Sequence, residues 1–120
     1  MGAVPPGTGR RLDERIGAAR AQEAALRTAI EQTRDARRLT FTDDEHDPEG
    51  STASLDQVRD SALLARVGET LGELVAARER LAAGTYGVCE RCGRPMTAER
   101  LTARPEARTD VSCAGRTRRP

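Results

Sequence analysis

The sequence predicts a mainly α fold, a long antiparallel two-helix coiled-coil hairpin closed by a small cysteine-bearing knuckle at its C-terminal end. Three observations predict it. Apolar residues recur at alternating three- and four-residue intervals through two long stretches, a carboxylate-rich segment with Pro48 and Gly50 separates them, and Cys89, Cys92 and Cys113 gather downstream. Such alternation lines one face of a helix and leaves the other faces polar. At 120 residues the chain suits one domain. Phe41 and Tyr86 are its only aromatic residues, so the core must be thin. All twenty basic residues are arginine, which reads first as a GC-rich codon bias, and the net charge of +1 provides no global attraction to nucleic acid or anionic membrane.

Residues 1–9, with Pro5, Pro6, Gly7 and Gly9, are expected to form a disordered tail. The hairpin is expected over residues 10–83. Its first helix carries the stripe Leu12, Ile16, Ala19, Glu23, Leu26, Ile30, Thr33 and Arg37, and Thr8 or Asp13 is placed to cap its start. The pattern fails across the acidic tip, residues 42–52, which gathers Asp43, Asp44, Glu45, Asp47 and Glu49 around His46. Ser54 and Gln57 read as a capping box, so the second helix is expected to start near Ser54. Its stripe is Leu64, Val67, Leu71, Leu74, Arg78 and Leu81, and Gly84 offers a C-cap. Gly68 and Gly72 each cost about 1 kcal/mol against alanine inside a helix. With one apolar stripe each, the two helices are expected to pair antiparallel into a rod about 40 Å long. Glu23, Thr33 and Arg78 weaken the seam, and a staple at the open end would offset that weakness.

That staple is the segment 84–115, followed by a basic tail at 116–120. Cys89 and Cys92 form a CxxC pair with Gly93 after it, and 17 residues separate Cys92 from Asp110, which stands three residues before Cys113. Zinc takes four ligands in a tetrahedron, and two close pairs of donors are the usual way of presenting them. A zinc-finger knuckle with Cys89, Cys92, Cys113 and Asp110 as ligands is therefore the expected centre, binding one zinc ion. Asp110 also suits the N-cap of a short helix over residues 111–116, which would leave water or nothing as the fourth ligand. A redox role for Cys89 and Cys92 lacks the strand-helix context such dithiols have.

The stretch GTYGVCERCGRPMTAERLTARP (Gly84–Pro105), with 17 residues between Cys92 and the second ligand pair, resembles the DksA/TraR family of bacterial transcription regulators. The resemblance extends to the hairpin in architecture and to residues 84–113 in detail. It implies a cytoplasmic protein that binds RNA polymerase, core or holoenzyme, by inserting the coiled coil into the secondary channel. Acidic residues at the tip then act near the catalytic centre, and Asp47-Pro48 is the counterpart of the family's tip motif. This sequence departs from the family pattern in three places. Asp110 replaces a cysteine, the second tip aspartate falls near Glu49 or Gly50, and only residues 114–120 follow the last ligand. Dependence on ppGpp is accordingly not expected.

Other functions fit less well. No nucleophile-base pair, paired acid-base site or phosphate loop is present, so no catalysis is expected. The segment 43–49 lacks the alternate ligand spacing and terminal Glu of an EF-hand loop. Arg91, Arg94, Arg100, Arg104 and Arg108 crowd the knuckle, but Glu90, Glu99 and Glu106 offset them and aromatics for base stacking are missing, so sequence-specific DNA binding is not expected. The sequence contains no run of about 18 apolar residues and no signal-peptide core, so secretion and membrane association are not expected. The runner-up reading is a coiled-coil adaptor that pairs with another protein and has no polymerase activity.

Overall fold

Ala, Leu, Arg and Glu favour helix, and helix accounts for most of the chain. The computed structural model describes residues 4–40 and 48–115. Four helices follow in order: α1 (Thr8–Thr40), α2 (Pro48–Ala83), α3 (Ala98–Ala103) and α4 (Val111–Ala114). The chain divides into two units. The first combines Met1–Gly17 with Leu71–Pro120, and the second is Ala18–Thr70.

In the first unit the start of α1 runs antiparallel to the end of α2. Arg78 Nε donates to Asp13 Oδ1 at 3.0 Å, and a Cβ on Gly9 would stand 3.4 Å from Leu81 Cδ2. Helix α1 starts at Thr8, which lies inside the expected tail. Thr8 does not cap through its side chain; its hydroxyl donates to Pro5 O at 2.6 Å, and Arg11 Nη1 reaches Pro6 O at 2.8 Å. Asp13 likewise does not cap, being engaged by Arg78. Leu12, Ile16, Leu74 and Ala77 are buried here together with Tyr86, Met96 and Leu101. Tyr86 is buried, and its hydroxyl donates to Pro105 O at 2.9 Å. Burial raises the pKa of that phenol.

The end of α2 is the expected glycine cap. Gly84 has φ +80, its N–H bonds Leu81 O at 3.3 Å, and the N–H of Thr85 bonds Arg80 O at 2.9 Å. These are the two bonds of a Schellman motif, and a residue with a Cβ is strained at that φ. Beyond it, Arg108 fastens the C-terminal segment to α2. Its Nε donates to both carboxylate oxygens of Glu73, and its Nη1 donates to Glu90 Oε1 at 2.9 Å.

In the second unit the two helices again run antiparallel. Arg37 Nη1 donates to Gln57 Oε1 at 2.8 Å, and Glu23 Oε2 lies 3.8 Å from where a Cβ of Gly68 would be. Ala19, Ile30 and Val67 are buried, with Leu26 and Leu64 half-buried. The polar seam positions have partners of their own. Thr33 Oγ1 donates to Ala29 O at 3.0 Å, and Glu23 pairs with Arg27 at 3.8 Å. Arg78, in the first unit, is held by Asp13 in the same way. One sequence expectation is corrected: α2 begins at Pro48, not near Ser54, and continues through Ser54. Proline's fixed φ suits a first helical turn, and its missing N–H would be unpaired there in any case.

Two outcomes are expected. Leu12→Ala should cost about 2 to 5 kcal/mol in urea unfolding, because Leu12 is fully buried, whereas Leu39→Ala, at an 80% exposed position, should stay within about 0.5 kcal/mol. Glu73 provides a pH signature. The Arg108 hydrogen bond holds its carboxyl below the ordinary value of 4.5. Its contribution to stability is therefore whole above the unfolded value and lost as pH falls through the lower folded value. Unfolding curves of wild type and Glu73→Gln should differ at neutral pH and converge in acid.

Candidate metal centre

The cysteine pair sits on a turn that the backbone closes on itself. Cys89 N–H bonds Arg94 O at 2.9 Å, Gly93 N–H bonds Cys89 O at 2.9 Å, and Met96 N–H bonds Gly87 O at 2.8 Å. Val88 and Pro95 form an antiparallel bridge between the two arms. Gly93 takes φ +75, the left-handed turn that brings the chain back after Cys92. The second donor pair is brought to this turn from the far side of α3. Thr97 caps α3 by accepting from Arg100 N–H at 3.2 Å. From α3, Arg100 donates through Nε and Nη2 to Thr109 O at 3.2 and 3.1 Å, fixing the residue before Asp110. Glu90 N–H bonds Arg108 O at 2.8 Å and ties the approach to Asp110 directly to the CxxC turn.

Asp110 is the N-cap of α4. Its Oδ1 accepts from Cys113 N–H at 2.8 Å and from Ser112 Oγ at 2.8 Å. Its other oxygen, Oδ2, lies 3.1 Å from Cys92 Sγ. Asp110 thus caps α4 through Oδ1, while its Oδ2 accepts from the Cys92 thiol. Helix α4 ends at Ala114, shorter than the expected span to residue 116.

The outcome is a cluster in which the donor atoms of Cys89, Cys92, Asp110 and Cys113 all lie within 4.8 Å of one another. A tetrahedral ion with Zn–S bonds of about 2.3 Å places its ligands about 3.8 Å apart, so the cluster has the dimensions of one four-coordinate site. Cys89 and Cys113 are buried, while Cys92 is exposed and Asp110 half-buried, so one edge faces solvent. The three thiols are free of disulfides. The acidic candidates elsewhere, Asp43, Asp44, Glu45 and Asp47, lie outside the described residues, and Glu49 falls in the first turn of α2.

The protonation behaviour suits a cation. Burial raises the thiol of Cys89, but the backbone N–H groups of Cys92, Asp110 and Arg91 outweigh it and bring the pKa down to about 7. For Cys92 the amide of Arg94 pulls down, yet the carboxylate of Asp110, desolvation and Cys89 together raise it. Burial and the Asp110 carboxylate push Cys113 up to about 12. Hydrogen bonds from Cys92, Ser112 and the Cys113 amide hold Asp110 well below the usual carboxylate range. Without a cation, the anions of this site oppose one another's ionisation; a divalent ion removes that opposition.

No protein-family model matches the chain. The solved structure of transcription factor DksA2 from Pseudomonas aeruginosa aligns with a TM-score of 0.55 at 25% identity, over 90% of this chain and 83% of that one. The chain has a DksA-like fold. Among curated proteins, general stress protein 16O of Bacillus subtilis is 37% identical over 68 residues, 57% of this chain and 42% of that protein. An uncharacterized protein of Aquifex aeolicus is 47% identical over 45 residues, 38% of this chain and 31% of that protein. The chain therefore spans less than half the length of these curated relatives. The resemblance to the DksA/TraR family, first carried by Gly84–Pro105, rests after this on the DksA-like fold as well. In this DksA-like chain, Ser112 and Arg108 are the supporting residues that the cysteine spacing did not reveal. For Ser112 the signal was present, a hydroxyl two residues after an N-cap aspartate.

Adding Zn²⁺ to metal-stripped chain is expected to raise its thermal midpoint, by about 2.7 kcal/mol of stabilisation at a hundredfold excess over Kd. Thermal unfolding of Cys89→Ser, which removes the most buried donor, should show little or none of that rise.

Proposed function

We propose that this chain is a transcription regulator that acts by binding RNA polymerase, core or holoenzyme, directly. The observation that carries the reading is the DksA-like fold, matched over nine-tenths of the chain to a solved transcription factor. On this reading the helical pair enters the polymerase secondary channel. The acidic segment between α1 and α2, with Asp43, Asp44, Glu45 and Asp47, together with Glu49 in the first turn of α2, meets cationic side chains or the catalytic Mg²⁺ there. The protein itself catalyses nothing, and its role is cytoplasmic. Among the described residues no helix is long and apolar enough to cross a membrane.

Zinc is the proposed resident ion, held by Cys89, Cys92, Cys113 and Asp110, because three thiolates and one carboxylate in a closed four-donor cluster suit a structural zinc site. Bound there, zinc supplies a cross-link between the CxxC turn and α4. The residues around it do the positioning: Gly93 reverses the chain, Arg100 and Glu90 fix the approach to the second pair, and Arg108 anchors that approach to Glu73 of α2.

The test is direct. Immobilised chain should retain core RNA polymerase, and replacing Asp43, Asp44, Asp47 and Glu49 together by Ala should leave that retention largely intact while removing the effect on transcription in vitro. Failure of the wild type to retain polymerase would remove the reading and leave the coiled-coil adaptor in its place.

A further inference from the structure

Asp110 stands where a knuckle would present a thiolate, and a thiolate in that position does two jobs with one atom. Cys89, the first residue of the other donor pair, illustrates this: its sulfur faces the cluster while the N–H groups of Arg91 and Cys92 are directed at it. Asp110 has two acceptor atoms for the same jobs. Oδ1 takes the N–H of Cys113, three residues on, and the hydroxyl of Ser112, both at 2.8 Å. Oδ2 accepts from the Cys92 thiol at 3.1 Å inside the four-donor cluster, a hydrogen that Cys92 gives up on binding a metal.

We infer that Asp110 binds the metal through Oδ2 alone while Oδ1 remains committed to α4, and that Ser112 is a positioning residue that holds the carboxylate in this split arrangement. The inference rests on the proposed metal site but not on polymerase binding. It follows from the geometry of a carboxylate. The two oxygens diverge from one carbon, so fixing Oδ1 against α4 fixes the direction of Oδ2. The amide of Cys113 and the hydroxyl of Ser112 approach the same oxygen, which removes rotation of the carboxylate about its own bond. Bidentate coordination would require Oδ1 to give up at least one of its two partners. Because the Cys113 amide is one of them, the two ligands of this pair are also locked to each other, and α4 forms one piece with the metal site. Outer partners of this kind fix ligand orientation and strengthen binding, and losing one typically costs about 10- to 100-fold in metal affinity.

Asparagine provides the sharpest probe, since it is an equally good N-cap but has one oxygen in place of two. The amide of Asp110→Asn can cap α4 or face the metal, not both. Metal-stripped full-length wild type, Asp110→Asn and Ser112→Ala are titrated with Zn²⁺ against a chromogenic chelator. Cobalt(II) spectra report coordination, and far-UV circular dichroism of the metal-free proteins reports folding. The expected result is equal helix content in all three, with zinc affinity reduced about tenfold or more in both variants. The tetrahedral cobalt bands should shift in Asp110→Asn and keep the wild-type position in Ser112→Ala. Zinc affinity and cobalt bands unchanged in Asp110→Asn would make Asp110 a cap only and overturn the inference. Unchanged affinity in Ser112→Ala would overturn the positioning role, and with it the split arrangement. If helix content falls in a variant, Asp110→Ser decides. It keeps a capping hydroxyl but has no second oxygen, so wild-type affinity in it refutes the inference and a tenfold loss supports it. Absence of metal binding by the wild type would remove the metal site itself, whatever the polymerase assay gives.

Discussion

The first unit depends on burying Leu12, Leu101 and Pro105 together with the single tyrosine of the chain, Tyr86. Leu12 comes from α1, Leu101 from α3 and Pro105 from the segment after it, and each is among the most deeply buried side chains. With so few large side chains, this core cannot be thick. Polar fastenings supplement it at defined places: the Tyr86 hydroxyl on Pro105 O, Arg108 on Glu73 and Glu90, and Arg78 on Asp13. Each joins parts distant in sequence: Arg108 limits how far the CxxC turn and the approach to α4 can drift from α2, Tyr86 holds the segment after α3, and Arg78 holds the start of α1 to α2. The geometry of the donor cluster is the product of that restraint.

Much of the fold was legible because helices announce themselves by period. The stripe that begins at Leu12 is buried or half-buried as far as Thr33 and exposed at its last member, Arg37, that from Leu64 to Leu81 is buried or half-buried throughout, and Gly84 closes α2 with the bonds a glycine cap predicts. Start signals were less reliable. Ser54 and Gln57 have the right spacing for a capping box, but local hydrogen-bond potential does not stop a helix already begun at Pro48. Ala77 is fully buried and lay outside the predicted stripe, since an alanine's burial depends on how closely the neighbouring helix approaches and not on its own hydrophobicity. The donor cluster was legible from spacing alone, because CxxC and the Asp110 to Cys113 interval each specify a turn. Arg108 and Glu73, 35 residues apart, were not, because nothing local marks an ion pair between distant segments.

A carboxylate in a thiolate-rich site changes its character without changing its charge. Three thiolates and one carboxylate carry the same formal charge as four thiolates, so the balance with a divalent ion is kept. The carboxylate is a harder donor, and it lies with Cys92 on the side of the cluster open to solvent. The softer and more protected donors, Cys89 and Cys113, form the inner side. A metal ion held by these donors would meet solvent on the side of Cys92 and Asp110.

The discontinuity of the first unit has a consequence for how the chain is made. Residues up to Gly17 belong with Leu71 and everything after it, while Ala18–Thr70 is continuous. At about 5 to 20 residues per second, roughly 5 to 20 s separate the emergence of the first segment from that of Cys113. Until residues from Leu71 onward are made, Leu12 and Ile16 lack the partners buried with them, Leu74 and Ala77 first and Tyr86, Met96 and Leu101 later. Over that wait the arginines and glutamates around this apolar stripe oppose its premature association.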